Sequence, residues 1–112
     1  MKTNTTIKDF NEYKKWVSFY LNKFGLNDWT VYYAHKELRG SVAEVDIDTV
    51  ARGATFSLNK NNNSGDIKGD ARHEVCHLLI ADLSHLSGSY CTEEQHKQVD
   101  EALVCRLTNL LQ

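Results

Sequence analysis

The chain has no proline, and its six glycines are spread over 112 residues, so punctuation falls to Gly and Asn. Cysteine is scarce as well. Cys76, Cys91 and Cys105 are odd in number and lack Cys-x-x-Cys spacing. They read as reduced thiols of a cytoplasmic protein, not as a disulfide framework. No apolar run approaches the ~18 residues that a membrane span needs. None follows Met1-Lys2-Thr3-Asn4-Thr5 either, so no signal peptide is expected. Charge of one sign is also missing: 13 Lys+Arg against 15 Asp+Glu leave a formal net charge of −2. Bulk electrostatics therefore offers no nucleic-acid or lipid surface. What remains is an ordinary globular composition, 41% hydrophobic and 25% charged. The length suits one domain, residues 1–112, around a single core, and no internal repeat divides it.

Against that plain background one stretch stands out, Asp70-Ala-Arg-His-Glu-Val-Cys-His-Leu-Leu-Ile, whose centre reads His-Glu-x-x-His. On a helix, residues four apart share a face, so His73 and His77 point the same way and can bind one Zn²⁺. Glu74 lies beside the pair, within reach of a proton on a metal-activated water. Val75, Cys76, Leu78, Leu79, Ile80, Leu83 and Leu86 make the segment apolar on most sides, as in a buried helix. Such a helix has little reason to carry His, Glu and His unless they serve a site. Asp70 is the natural N-cap. Cys76, between the histidines, is read as core, since free Cys is among the most buried residue types.

The rest of the chain supplies a frame. Apolar residues at 7, 10, 13, 16, 17, 20, 21 and 24 recur with a helical period, Thr6 and Asp9 resemble a capping pair, and Gly25 ends the helix. Its aromatic stripe (Phe10, Tyr13, Trp16, Tyr20, Phe24) reads as a core face against a sheet. Trp29–His35 is a strand by composition. In Ser41–Asp48, Ala43, Val45 and Ile47 face one side; Glu44, Asp46 and Asp48 face the other, a solvated strand face in preference to a Ca²⁺ site. A third strand spans 51–59, with Ala54, Phe56 and Leu58 in phase. Lys60–Gly69 is a polar, mobile loop. After a connection, Thr92 and Gln95 have capping-box spacing, and Val99, Leu103, Val104, Leu107, Leu110 and Leu111 mark a last helix. The expected order is α-β-β-β-α-α.

A catalytic zinc usually has three protein ligands. The third should come from the last helix, packed antiparallel to the motif helix. Glu93 and Glu94 suit the helix dipole in its first turn. Asp100 falls in the middle of the apolar stripe, where a buried carboxylate needs a cationic partner. Glu101 lies off the stripe, beside Val104, Cys105 and Thr108, and reaches further. The third ligand is therefore Asp100 or Glu101. His96, one turn before Asp100, is either a ligand or the hydrogen-bond partner of one.

An N-terminal helix, a short meander, the His73-Glu74-Val75-Cys76-His77 helix and then a helix with Asp100-Glu101 resemble a minimal zincin-type metallopeptidase domain. The pattern is similar to small HExxH proteins of bacteriophages and prophages. Val75-Cys76-His77 is also similar to SprT-like domains, and the carboxylate-bearing helix to ImmA/IrrE peptidases. Ile80 and Leu83 stand where a metzincin has Gly and His, which excludes that branch. The resemblance implies an α+β zincin-like fold and hydrolysis of a peptide or protein substrate with Zn²⁺, Glu74 moving the proton from water to the leaving amine. It also implies an edge strand that holds the substrate extended, with Ala51–Leu58 or Val42–Ile47 as candidates. Tyr90, His85 and Arg72 are the candidate oxyanion donors. The rival expectation is a zinc-stabilised, non-catalytic regulatory or assembly module of phage type, whose metal has no need of Glu74.

Overall fold

The computed structural model of the protein describes residues 4–81 and 93–110. Among these, the elements in chain order are α1 (Ile7–Lys23), β1 (Thr30–Lys36), β2 (Ala43–Asp48), β3 (Gly53–Asn59), α2 (Ile67–Leu79) and α3 (Glu93–Leu110). The expected α+β class and α-β-β-β-α-α order are observed, with the His-Glu-x-x-His segment on the second helix. Leu83, His85, Leu86, Tyr90, Cys91, the Thr92 cap and the side chains of Glu93, Glu94, His96, Val99, Leu110 and Leu111 lie outside the described residues.

The start of α1 is a full capping box. Thr6 Oγ1 accepts from Asp9 N at 3.1 Å, and Asp9 Oδ2 accepts from Thr6 N at 2.9 Å. Gly25 takes φ +71°, the left-handed conformation that closes a helix. Tyr13, Val17, Tyr20 and Leu21 are buried. Helix α1 lies against α2, and its Tyr13, Val17 and Tyr20 share one buried core with Ala54, Phe56 and Leu58 of the sheet, as the aromatic stripe leads one to expect. It meets the sheet at Phe10, whose ring stacks on His35 at 4.8 Å.

The sheet is not a meander. Its order is β1-β3-β2, with β1 parallel and β2 antiparallel to β3. One face carries Tyr33, Phe56 and Val45 in register, and the opposite face of β2 exposes Glu44, Asp46 and Asp48. As the central strand, β3 is covered on both sides, so Ser57 and Asn59 are buried along with Phe56 and Leu58. The 37–42 connection must therefore cross the end of β3. Asn59 pins it there: its Nδ2 donates to Leu38 O at 3.0 Å and to Ser41 O at 2.7 Å, and its N donates to Val42 O at 3.0 Å. Carbonyls that cross a sheet end would otherwise lose water without gaining a partner. The central position of β3 also removes Ala51–Leu58 as an edge strand, because both its sides are paired. Of the two candidates, Val42–Ile47 is the one that lies on an edge.

Helix α2 begins four residues earlier than an Asp70 cap predicts. Asp66 is the N-cap, its Oδ1 accepting from Gly69 N at 3.0 Å. Gly69 leaves the room this cap needs, since a Cβ there would collide with the Asp66 carboxylate. Asp70 instead accepts from Ser64 Oγ at 2.5 Å, inside the first turn. The polar loop is correspondingly shorter, and it is ordered by its own side chains: Asn61 N donates to Asn59 Oδ1, Gly65 N to Asn63 Oδ1, and Asp66 N to Ser64 Oγ. Ala71, Val75 and Leu78 turn into the core. That fixes the rotation of α2 and leaves His73 and His77 on its partly open side, with Glu74 buried beside them.

Candidate metal centre

A cleft of about 610 Å³ runs between β2 and α3 with α2 at its base. His73, Glu74 and His77 line it from α2, and Lys97, Asp100 and Glu101 line it from α3. The two imidazoles lie edge to face, with centroids 5.1 Å apart and planes at 75°. The Glu101 carboxylate spans them: Oε1 is 2.8 Å from His77 Nε2, and Oε2 is 3.9 Å from His73 Nε2.

Donor atoms of His73, His77 and Glu101 all lie within 4.8 Å of one another, so this group could hold a metal ion. Tetrahedral donors about 2.0–2.1 Å from a zinc ion stand roughly 3.4 Å apart, and the two contacts of Glu101 bracket that spacing. Two nitrogens and one carboxylate oxygen also make a donor set that suits zinc. Asp100 takes another place. Its Oδ2 is 3.5 Å from His77 Nδ1, the ring nitrogen not turned to Glu101, and its buried Oδ1 has no hydrogen-bond partner among the described residues. A carboxylate there favours the tautomer with the proton on Nδ1, which leaves Nε2 free to ligate.

Burial governs the electrostatics. It pushes the Glu74 carboxyl up to about 8, with Glu101, Asp70 and Glu44 adding to the effect and the Val45 N–H opposing it. His73 is lowered, first by burial and then by the His77 ring, with Glu101 acting against both. A lowered imidazole is neutral near pH 7, the form that ligates metal. Cys76 is buried, its thiol is pushed up by burial against a hydrogen bond with Thr108, and it stands outside the donor group.

Glu74, His73, His77, Asp100 and Glu101 are thus brought to one cleft. Of the oxyanion candidates, Arg72 lines an adjoining depression that also touches His73 and Glu74, while Tyr90 and His85 lie outside the described residues. Among the described residues, Glu44, Asp46 and Asp48 do not gather into a metal group. Sequence reasoning missed Lys97, which precedes Glu101 by four residues; helical spacing alone places the two on one face.

No protein-family model matches the chain, and no curated protein matches it. Among solved structures, the crystal structure of the metallopeptidase zymogen of Methanocaldococcus jannaschii jannalysin is similar. Its TM-score is 0.45 at 16% identity, over 85% of this chain and 96% of that one. No helix among the described residues is long and apolar enough to cross a membrane.

Proposed function

We propose that the protein is a zinc-dependent metallopeptidase of zincin type, with His73, His77 and Glu101 as ligands and Glu74 as the general base. The observation that carries this reading is the convergence of three donor atoms within 4.8 Å beside a buried Glu74. A metal held there supplies Lewis acidity toward a water molecule and toward the scissile carbonyl. The chain's own residues do the rest. Glu74 takes a proton from the attacking water and passes it to the leaving amine, acting as the ionised carboxylate that a cation in the donor group would favour against the effect of burial. Asp100 holds the His77 ring in its ligating orientation. Ala43–Asp48 is, among the described residues, the edge strand of the sheet that lines the cleft, where an extended peptide can add as a further strand.

Glu74→Gln is the test. The peptidase reading expects it to retain zinc and fold while losing peptide hydrolysis by at least about 100-fold. A Glu74→Gln protein as active as wild type would refute the assigned role. Wild-type protein that holds zinc but cleaves nothing in a broad peptide library would favour the non-catalytic module.

A further inference from the structure

We propose that Lys97 selects a carboxylate on the substrate, located within about three residues of the bond that is cut. The inference deepens the peptidase reading above and rests on it.

Five charged side chains line the half of the cleft that holds the donor group: Glu44, Glu74, Asp100, Glu101 and Lys97. Lys97 is the one cation among them. Three of the acids are occupied, Asp100 and Glu101 by His77 and Glu74 by the Val45 N–H. Lys97 is exposed and forms no ion pair among the described residues. Among the described residues it is a cation lining the cleft with no carboxylate in ion-pair contact.

Distance fixes where its partner must lie. Four residues of helix separate Lys97 from Glu101, about 6 Å along the axis, and a lysine stem extends roughly as far again. An extended peptide advances about 3.3 Å per residue, so the ammonium reaches groups up to about three residues from the donor set. Across the cleft, on β2, an incoming carboxylate meets the exposed acid Glu44. Selection is therefore positional: a negative group is favoured beside Lys97 and disfavoured beside Glu44. The ammonium is hydrated and mobile, which suits choosing a substrate and not stabilising a transition state at the centre. An acidic side chain and a free C-terminal carboxylate present the same chemistry to it.

Peptide hydroxamates, which anchor to zinc by one end, separate these cases without requiring turnover. A series would carry Asp, Asn or Lys at the first, second or third residue, each with a free or an amidated C-terminus. Their dissociation constants would be measured on the zinc-loaded protein. Asp should bind about tenfold tighter than Asn at one position; if the terminal carboxylate is the group selected, the gain appears between the free and amidated forms. Lys97→Met should erase the preference, Lys97→Glu should turn it toward Lys, and zinc per chain should stay the same in both. Equal binding of all members to wild type, or a preference that survives in Lys97→Met, would overturn the assignment. Zinc content and peptide hydrolysis report on the peptidase reading separately. A protein that shows the preference but cuts no peptide keeps the carboxylate site and loses the peptidase reading.

Discussion

His77 presents its two ring nitrogens to two consecutive acids of α3: Nδ1 lies 3.5 Å from Asp100 Oδ2, and Nε2 lies 2.8 Å from Glu101 Oε1. Successive residues on a helix are about 100° apart, and one imidazole placed between them can engage both. Two adjacent carboxylates therefore stand in different places. In the proposed site Glu101 is a member of the donor group, and Asp100 is the group that orients His77.

Asp100→Asn and Glu101→Gln should accordingly differ. Asp100→Asn leaves the donor atoms in place and should weaken zinc binding about 10- to 100-fold, the usual cost of losing a ligand-orienting partner. Glu101→Gln removes a ligand and should cost more. Competition against a chelator of known affinity measures both, and equal losses would deny the division of roles.

Glu74 should make the metal-free protein sensitive to pH. Its carboxyl is raised from 4.5 to about 8 by burial, so the folded state holds a proton that the unfolded chain has released. The associated stability is fully present below about pH 4.5 and is lost as pH rises through about 8. Glu74→Gln has no such proton to lose. In EDTA it should be more stable than wild type at pH 8–9, by on the order of a few kcal/mol, and similar to it near pH 4. Denaturant titrations at the two pH values test this; parallel curves at both would contradict it.

Much of this frame was legible in the sequence, for local reasons. The Thr6–Asp9 box, the period of α1, the alternation of β2 and the four-residue spacing of His73 and His77 depend on neighbours in the chain. Sheet order does not. Phe56 pairs with Tyr33 of β1 and Val45 of β2, and no local signal in 30–59 distinguishes that arrangement from a meander. An Asp70 cap misplaces the start of α2, since Asp66 is chemically as fit to cap a helix; hydrogen bonding to Gly69 N decides for Asp66. Which of Asp100 and Glu101 comes near both histidines depends on the rotation of α3 relative to His77, a tertiary quantity that helical periodicity leaves open.

Asn59 shows what that non-local order demands. Its side chain is buried and serves two carbonyls of the crossing segment. Asn59→Ala should destabilise the fold by about 2 kcal/mol. Asn59→Asp should cost more, because it sets an acceptor against two acceptors. Urea denaturation at pH 7 gives both values, and two near-neutral substitutions would show that the crossing needs no such anchor.

Arg52 carries a similar cost in backbone form. It is a non-glycine residue at φ +57°, with its guanidinium 4.0 Å from the Trp29 ring centroid and ion-paired to Asp28. Arg52→Ala keeps the left-handed backbone and loses the contacts, which should cost about 1–2 kcal/mol. Arg52→Gly loses the same contacts without the strain and should recover about 1 kcal/mol of that. Thermal melts of the two variants would contradict the account if the glycine form were the weaker.

The most direct test of the central claim is zinc per chain by elemental analysis, in wild type and in His73→Ala, His77→Ala, Glu101→Ala and Asp100→Ala, each purified and exposed to one equivalent of zinc. The expected result is one zinc in wild type, none in the histidine and Glu101 variants, and a weakly held zinc in Asp100→Ala. Wild type without zinc, or full retention by Glu101→Ala with loss in Asp100→Ala, would contradict it.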